Sequence, residues 1–596
     1  MPLGGIQLTP IKRILRVKRR SRFRHVISGL YVMIGFKKVH LFVVVIKKLA
    51  GSAQKERRSG AVMDKTQKNE GKLAGAPLKP SLLRSETYCH EFIRPLISWS
   101  PRGEEDNPKD DVQPRYQFWG EIKSRDNEVL IDGEGMTILD ASCRVTAWLY
   151  RRENERDTPP LCLPDDRPEL RHLVGKCKDA SSLFAENLPF LRDSLDSSQP
   201  RARLIEIAPS ALIVLSLSFD SLEELTGVTN QVRAYLYNVF LPAIPFDSTC
   251  VQRDESKEMP EGSQRLFEAC WGRWDLIFYA LPNHKARKEA LLKGWRGVPT
   301  GFVQIRGGGA ELEAKNWKDL RKELARLAIA LRLATLNSVE IRFWEYQESK
   351  HHLPYARVHV SSITSCDWND NCSLIPDRRS LRNYLSVMAV FRVFDRKWWY
   401  CAASHLIASC RLKDQSVGNL HGAFSYVYIA LDTITHNFPN DTEASLASAR
   451  TCYESLKKGP KKKKKTRGGF GRDVTLLEDA LGIRTDASGR EDFERDLGVK
   501  RGLVLHEGKP PLDGQVGRFK DQTAWLSLCQ LHVARILLEI IGYKGYFQVP
   551  NLYTYAMYPH LNVLFHTDKP VPCRTEDLMS RQQDIGKELW KSLHDG

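Results

Sequence analysis

The strongest constraint on this chain is a run of helical periodicity after Pro376. Between residues 522 and 541, Trp525, Leu528, Leu531, Leu538 and Ile541 recur on one side of a helix, and Gly542 follows as a stop. A helix with such a stripe is stable in water only when the stripe is covered by other elements. Suitable partners lie just upstream. Residues 381–412 carry long apolar stretches that include Trp398 and Trp399, residues 423–434 and 441–456 read as further helices, and residues 474–481 and 492–506 as short ones. Four or five helices with short connections predict a bundle over residues 379–545.

The preceding half reads differently. Residues 117–122 and 128–131 are strand-like and flank a polar turn at 124–127. A second turn is expected at Asp132-Gly133-Glu134-Gly135, leading into strand text at 136–139, and residues 144–150 alternate polar and apolar. Residues 203–219 hold two short apolar runs separated by Ala208-Pro209-Ser210. Residues 264–281 are aromatic and apolar, while 339–346 and 356–363 read again as strands. One strong helix, at 311–336, carries Leu320, Leu324, Leu327, Ala328 and Leu331 at three- and four-residue spacing. The expected fold class is therefore α+β, with a β-rich N-terminal region over 115–378 followed by an all-α bundle. A chain of 596 residues exceeds one core, so separate domains are expected.

The ends are polar or basic. Residues 63–114, rich in Pro, Lys, Glu and Asp, read as a linker, and 546–596 as a C-terminal tail. In residues 1–62 two apolar runs, 27–36 and 41–46, are separated by Lys37, Lys38 and His40, and neither reaches the roughly 20 residues that span a bilayer. From Met63 the text MDKTQKNEGKLAG is an ordinary polar N-terminus, so 1–62 is expected to be a basic extension without a folded role. No membrane partner is expected.

The formal net charge of +18 makes a polyanion a candidate partner. Much of the excess sits in the first 58 residues and in a loop holding Lys461, Lys462, Lys463, Lys464, Lys465, Arg467 and Arg472. Such runs are usually solvated, and the loop is a nucleic-acid contact only if a site lies beside it. Thirteen scattered cysteines without a CxxC pair read as reduced thiols of a cytoplasmic protein, with no metal and no cofactor expected. No Walker loop, GxGxxG or HExxH occurs. Gly307-Gly308-Gly309 lies between a strand and a helix but lacks a following GK[ST], and reads as a turn.

The remaining segment with chemistry in it runs from Asp496 to Gly508 and holds Arg501, four intervening residues, then His506. The same spacing recurs at Arg20 and His25 and at Arg167 and His172, outside any bundle. Only the third instance sits on a helix with apolar intervening residues, closed by Gly508 and Pro510. That pattern resembles the HEPN superfamily, whose signature is Arg, four to six residues, then His on a late helix of a bundle. Residues 423–432, AFSYVYIALD, resemble the early HEPN helix ending in Ala-Leu-acidic, and 476–482, LLEDALG, precede the motif as in ApeA-like HEPN proteins. The resemblance covers roughly 380–545. It implies metal-independent RNA cleavage at a homodimer interface, in an abortive-infection or antiviral role, with an N-terminal region that answers an unknown trigger. In that reading Arg501 holds the scissile phosphate and His506 is the general acid or base. The sequence departs from many active members at Gly502, where a polar residue commonly follows the Arg. The alternative is a non-catalytic HEPN scaffold, in which Arg501 pairs with an acid or caps carbonyls and His506 closes its helix.

Overall fold

The computed structural model describes residues 115–124, 127, 129–139, 145–152, 172–177, 180–186, 188, 190–195, 202–207, 211–215, 231–239, 263–281, 286–287, 289, 291, 299–307, 317–347, 356–360, 373–391, 393–412, 417–458, 469–509, 519–549 and 563–578. The expected extension (1–62) and linker (63–114) lie outside these residues, as do Lys461 to Lys465 and Arg467.

The α+β expectation holds. The strands are β1 (Arg115–Lys123), β2 (Val129–Leu139), β3 (Val145–Arg152), β4 (His172–Cys177), β5 (Ser182–Glu186), β6 (Phe190–Leu195), β7 (Ala202–Ile207), β8 (Ala211–Leu215), β9 (Gln231–Tyr237), β10 (Gln264–Trp271), β11 (Trp274–Ala280), β12 (Pro299–Gly307), β13 (Glu340–Gln347) and β14 (Ala356–Val360). They form one sheet in the order β10-β11-β12-β9-β13-β14-β8-β5-β4-β1-β2-β3-β7-β6, with antiparallel neighbours throughout.

The sheet curls over on itself. Tyr116 of β1 and His359 of β14 are four strand steps apart, which in a flat sheet is about 19 Å. Their ring centroids are 6.2 Å apart. Strand alternation then divides the apolar residues between two cores. On β9, Val232, Ala234 and Leu236 face the helices, while Tyr235 and Tyr237 join Tyr116, Phe118 and Leu149 on the inner face.

The turn expected at 132–135 is absent: β2 runs unbroken, with Gly133 opposite Gly120 and Gly135 opposite Phe118. The glycines make room for a ring instead of turning the chain. A Cβ at Gly135 would lie 2.3 Å from the Phe118 ring, and one at Gly120 2.8 Å from it. Strands β4, β5, β6 and β9 are not anticipated from the sequence, whereas β12 is the strand expected before Gly307.

The helices are α1 (Trp317–Thr335), α2 (Arg378–Val390), α3 (Lys397–Arg411), α4 (Val417–Asn437), α5 (Ala447–Lys458), α6 (Gly469–Ala480), α7 (Arg490–Glu507) and α8 (Phe519–Ile540). The stripe of Leu320, Leu324, Leu327 and Leu331 on α1 is buried, in the same continuous core as the helices of 378–540. Cross-links reinforce this union. Arg326 Nη2 donates to the carbonyls of Ala389 (2.7 Å) and Phe391 (3.0 Å), and Tyr384 Oη donates to the Ala330 carbonyl (3.1 Å). The sheet region and the helices are thus packed as one body and not as beads on a linker.

Beyond 545, where a tail was expected, residues 546–549 and 563–578 are folded against the body. A hairpin of β15 (Tyr546–Val549) and β16 (Val563–His566) returns to the body, where Gln548 N–H donates to the Leu374 carbonyl (2.7 Å). Val571 and Cys573 are buried beyond it. Gly307 ends β12, as the strand expected before the glycine run requires, while Gly308 and Gly309 lie outside the described residues. Among the described residues no helix is long and apolar enough to cross a membrane.

Candidate functional site

Helix α7 is 18 residues long and starts and stops at glycines. Gly489 (φ 81°) precedes it and Gly508 (φ 64°) closes it, with Lys509 N–H donating back to the Leu503 carbonyl at 3.0 Å. This left-handed closure is the one that Gly508 predicts. The buried side of the helix is marked by Phe493, Leu497 and Val504. Arg501 sits between Leu497 and Val504 on the same side, at a position where the stripe calls for an apolar residue. It must therefore find partners inside the bundle.

It finds two. The Arg501 Nη2 donates to both carboxylate oxygens of Asp432 on α4, each at 3.0 Å. Its guanidinium carbon lies 4.5 Å from the centroid of the Phe470 ring on α6. With the arginine side chain 20% exposed and the aspartate 46%, the ion pair contributes about 1 kcal/mol or less, and the ring contact a similar amount. Nε of Arg501 is buried and has no hydrogen-bond partner among the described residues.

Phe470 reaches this place because α6 and α7 approach closely. A Cβ on Gly471 would lie 1.9 Å from the Glu494 carbonyl oxygen, so no larger residue fits. Arg490 clamps the same helix pair, donating to Asp479 Oδ1 (2.8 Å) and the Thr475 carbonyl (3.2 Å). Residues 469–472, expected as part of a glycine-rich loop, are instead the first turn of α6. Arg472 is exposed on that turn, two residues beyond Phe470. Phe470 and Gly471 carry no signal of a site in the sequence, because glycine enrichment there reads as loop composition. Asp432 was visible only as the end of a family-like helix.

His506 is exposed in the last turn of α7 and makes no side-chain hydrogen bond, ion pair or ring contact with any described residue. Five helical residues separate its direction from that of Arg501 by about 140°. One chain therefore presents a half-buried, anchored arginine and a free histidine on diverging faces of one helix. Between them Gly502 opens onto space: a Cβ there would meet nothing within 4 Å.

Two other clusters of ionisable side chains are structural. His532 on α8 is fully buried, pairs through Nδ1 with the Glu478 carboxylate, and places Nε2 3.1 Å from the Pro572 carbonyl. The imidazole thus bridges the Glu478 carboxyl group and the Pro572 carbonyl, and the ring stacks on Phe493 (centroids 4.2 Å apart). The group ties α6, α7, α8 and the C-terminal segment together out of reach of solvent. The second cluster lines the inner face of the sheet. Glu345 is buried between Arg357 (3.2 Å) and Arg233 (3.9 Å), and burial pushes its carboxyl upward against the pull of both arginines. His359 is pushed down to about 3 by burial and by the charge of Arg357.

No protein-family model, curated protein or solved structure matches this chain. Among the described residues no group of three or more His, Cys, Asp or Glu side chains is arranged to hold a metal ion.

Proposed function

We propose that the chain is a metal-independent endoribonuclease of HEPN type, in which Arg501 binds the scissile phosphate and His506 moves the proton. The observation that carries the reading is the anchored Arg501. Its guanidinium is held on Asp432 and Phe470, and its buried Nε keeps a donor without a partner. A phosphate oxygen is a natural acceptor for the guanidinium N–H groups that the half-exposed Asp432 now holds.

In the reaction the RNA 2′-oxygen attacks phosphorus, the bond to the 5′-oxygen breaks, and a cyclic phosphate and a 5′-hydroxyl form. His506 takes the 2′-hydroxyl proton or supplies one to the leaving oxygen. Arg501 stabilises the charge that develops on the phosphoryl oxygens. Because the two side chains diverge on one helix, the site is completed by a second copy, a homodimer about a twofold axis converging Arg501 and His506 on one phosphate. The exposed Arg472, with the basic segment from Lys461 to Lys465 and Arg467, adds electrostatic attraction for the RNA backbone. The sheet region restrains or triggers this activity, in a cytoplasmic, abortive-infection or antiviral setting, as the family resemblance implies.

The test is purified protein with total RNA in EDTA, alongside Arg501→Ala and His506→Ala. Cleavage by the unaltered protein alone, leaving cyclic phosphate ends, supports the reading. Equal cleavage by all three places the activity elsewhere.

A second reading rests on the same ion pair. If Asp432 is the permanent partner of Arg501, the pair is architectural and the bundle is a non-catalytic scaffold. In that case neither substitution changes RNA binding or cleavage.

A further inference from the structure

Cys401 and His405 lie one turn apart on α3, a spacing that places both on one helix face. The Cys401 Sγ and His405 Nε2 atoms are 3.5 Å apart. Cys401 is exposed, whereas its neighbours Ala402, Ala403 and Leu406 are buried, so the pair opens to solvent at the edge of the bundle. The imidazole does not swing freely. It stacks on Tyr426 of α4, with ring centroids 5.7 Å apart and an interplanar angle of 26°, which holds Nε2 toward the sulfur.

That separation has chemical content. In a tetrahedral zinc centre the metal lies about 2.3 Å from a thiolate sulfur and about 2.0–2.1 Å from an imidazole nitrogen, so adjacent S and N ligands are about 3.6 Å apart. The two atoms here already stand near that edge length, and a cation outside them is reached by both once the imidazole nitrogen turns from the sulfur toward it. Sulfur with imidazole nitrogen selects soft or borderline divalent ions over magnesium and calcium, which take oxygen ligands.

We propose that Cys401 and His405 form an exposed two-ligand site for a divalent cation of the zinc class, with solvent in the remaining coordination positions. On binding, the thiol proton leaves to solvent and a metal–sulfur bond forms, with no change of oxidation state. The site is independent of the ribonuclease reading and stands or falls separately from it.

Cobalt(II) titration of the full reduced chain tests it, through the near-ultraviolet sulfur-to-cobalt charge-transfer band and the visible bands of tetrahedral cobalt. The unaltered protein should develop both, and zinc should bleach them. Cys401→Ser should lose the charge-transfer band, and His405→Ala should lose most of the visible intensity. Cys452→Ser, which removes an exposed thiol on α5, should leave the spectrum unchanged. Circular dichroism confirms that the variants are folded. No band in the unaltered protein, or an undiminished band in Cys401→Ser, would overturn the proposal.

Discussion

Arg501 and Asp432, 69 residues apart in the chain, are joined through one guanidinium nitrogen that reaches both carboxylate oxygens at 3.0 Å. The pair fastens α7 to α4 and sets the height at which the arginine stands in the bundle. Because Asp432 is nearly half exposed, the bond is screened and exchangeable. An anion of higher charge can compete for the same guanidinium.

A double-mutant cycle of Arg501→Ala and Asp432→Asn should therefore give a coupling of about 0.5–1 kcal/mol in urea unfolding. Arg501→Ala alone should cost no more than about 2 kcal/mol, since the contact with Phe470 is lost as well. A coupling near zero would remove the ion pair as the anchor of Arg501.

His506→Ala should leave stability within about 0.5 kcal/mol of the unaltered protein, because the ring is exposed and unpartnered among the described residues. Under the proposed function the same variant loses RNA cleavage. The split between an unchanged unfolding midpoint and lost cleavage separates a chemical role from a structural one.

Two glycines in neighbouring helices should respond with opposite signs. Gly502→Ala fills open space in mid-helix and should stabilise by about 0.5–1 kcal/mol. Gly471→Ala drives a methyl into the Glu494 carbonyl and should destabilise by about 1–3 kcal/mol or more, displacing Phe470 from Arg501. Thermal unfolding of the two variants side by side reads both signs. A neutral Gly471→Ala would mean that α6 and α7 are not in close contact.

His532→Ala should be among the costliest single changes in the helical half, at about 3–5 kcal/mol. It leaves Glu478 buried without its partner and opens a void beside Phe493. A loss below about 1 kcal/mol by chemical denaturation would show that the pair contributes little.

Acidification should weaken the curled sheet through His359. Its imidazole is held down to about 3 in the fold, whereas an unfolded histidine titrates near 6.5. Between those values the unfolded chain binds a proton that the folded chain does not. Stability is therefore lost as pH falls from about 6.5 toward 3, at up to about 1.4 kcal/mol per pH unit from this group. Replacing His359 with Gln should flatten the pH dependence of unfolding by about half a proton at pH 6.5, rising to nearly one at pH 5. An unchanged slope would sink the assignment.

Much of the helical half was legible in the sequence. The expected helix over 522–541 corresponds to Phe519–Ile540, and the helix over 311–336 to Trp317–Thr335, because an apolar stripe at helical spacing is a local property. The closure at Gly508 and the turn from Ser124 to Asn127 were equally local, the latter closed by Asn127 N–H on the Ser124 carbonyl at 3.1 Å. Strands were harder to read. β9 is buried along its whole length, so its burial shows no alternation, and the glycines of β2 mimic a turn while fitting the Phe118 ring.

The amino-acid sequence was enough to place most of the helices approximately, and to put Arg501 and His506 on one of them with side chains about 140° apart. All of this follows from backbone periodicity over a few residues. Only the tertiary structure decided that Arg501 faces the bundle against Asp432 and Phe470 while His506 faces solvent, and that Tyr116 meets His359 across a curled sheet. Those pairings join residues far apart in the chain. They arise from the packing of a shared core and the coiling of the sheet, and no local spacing encodes them.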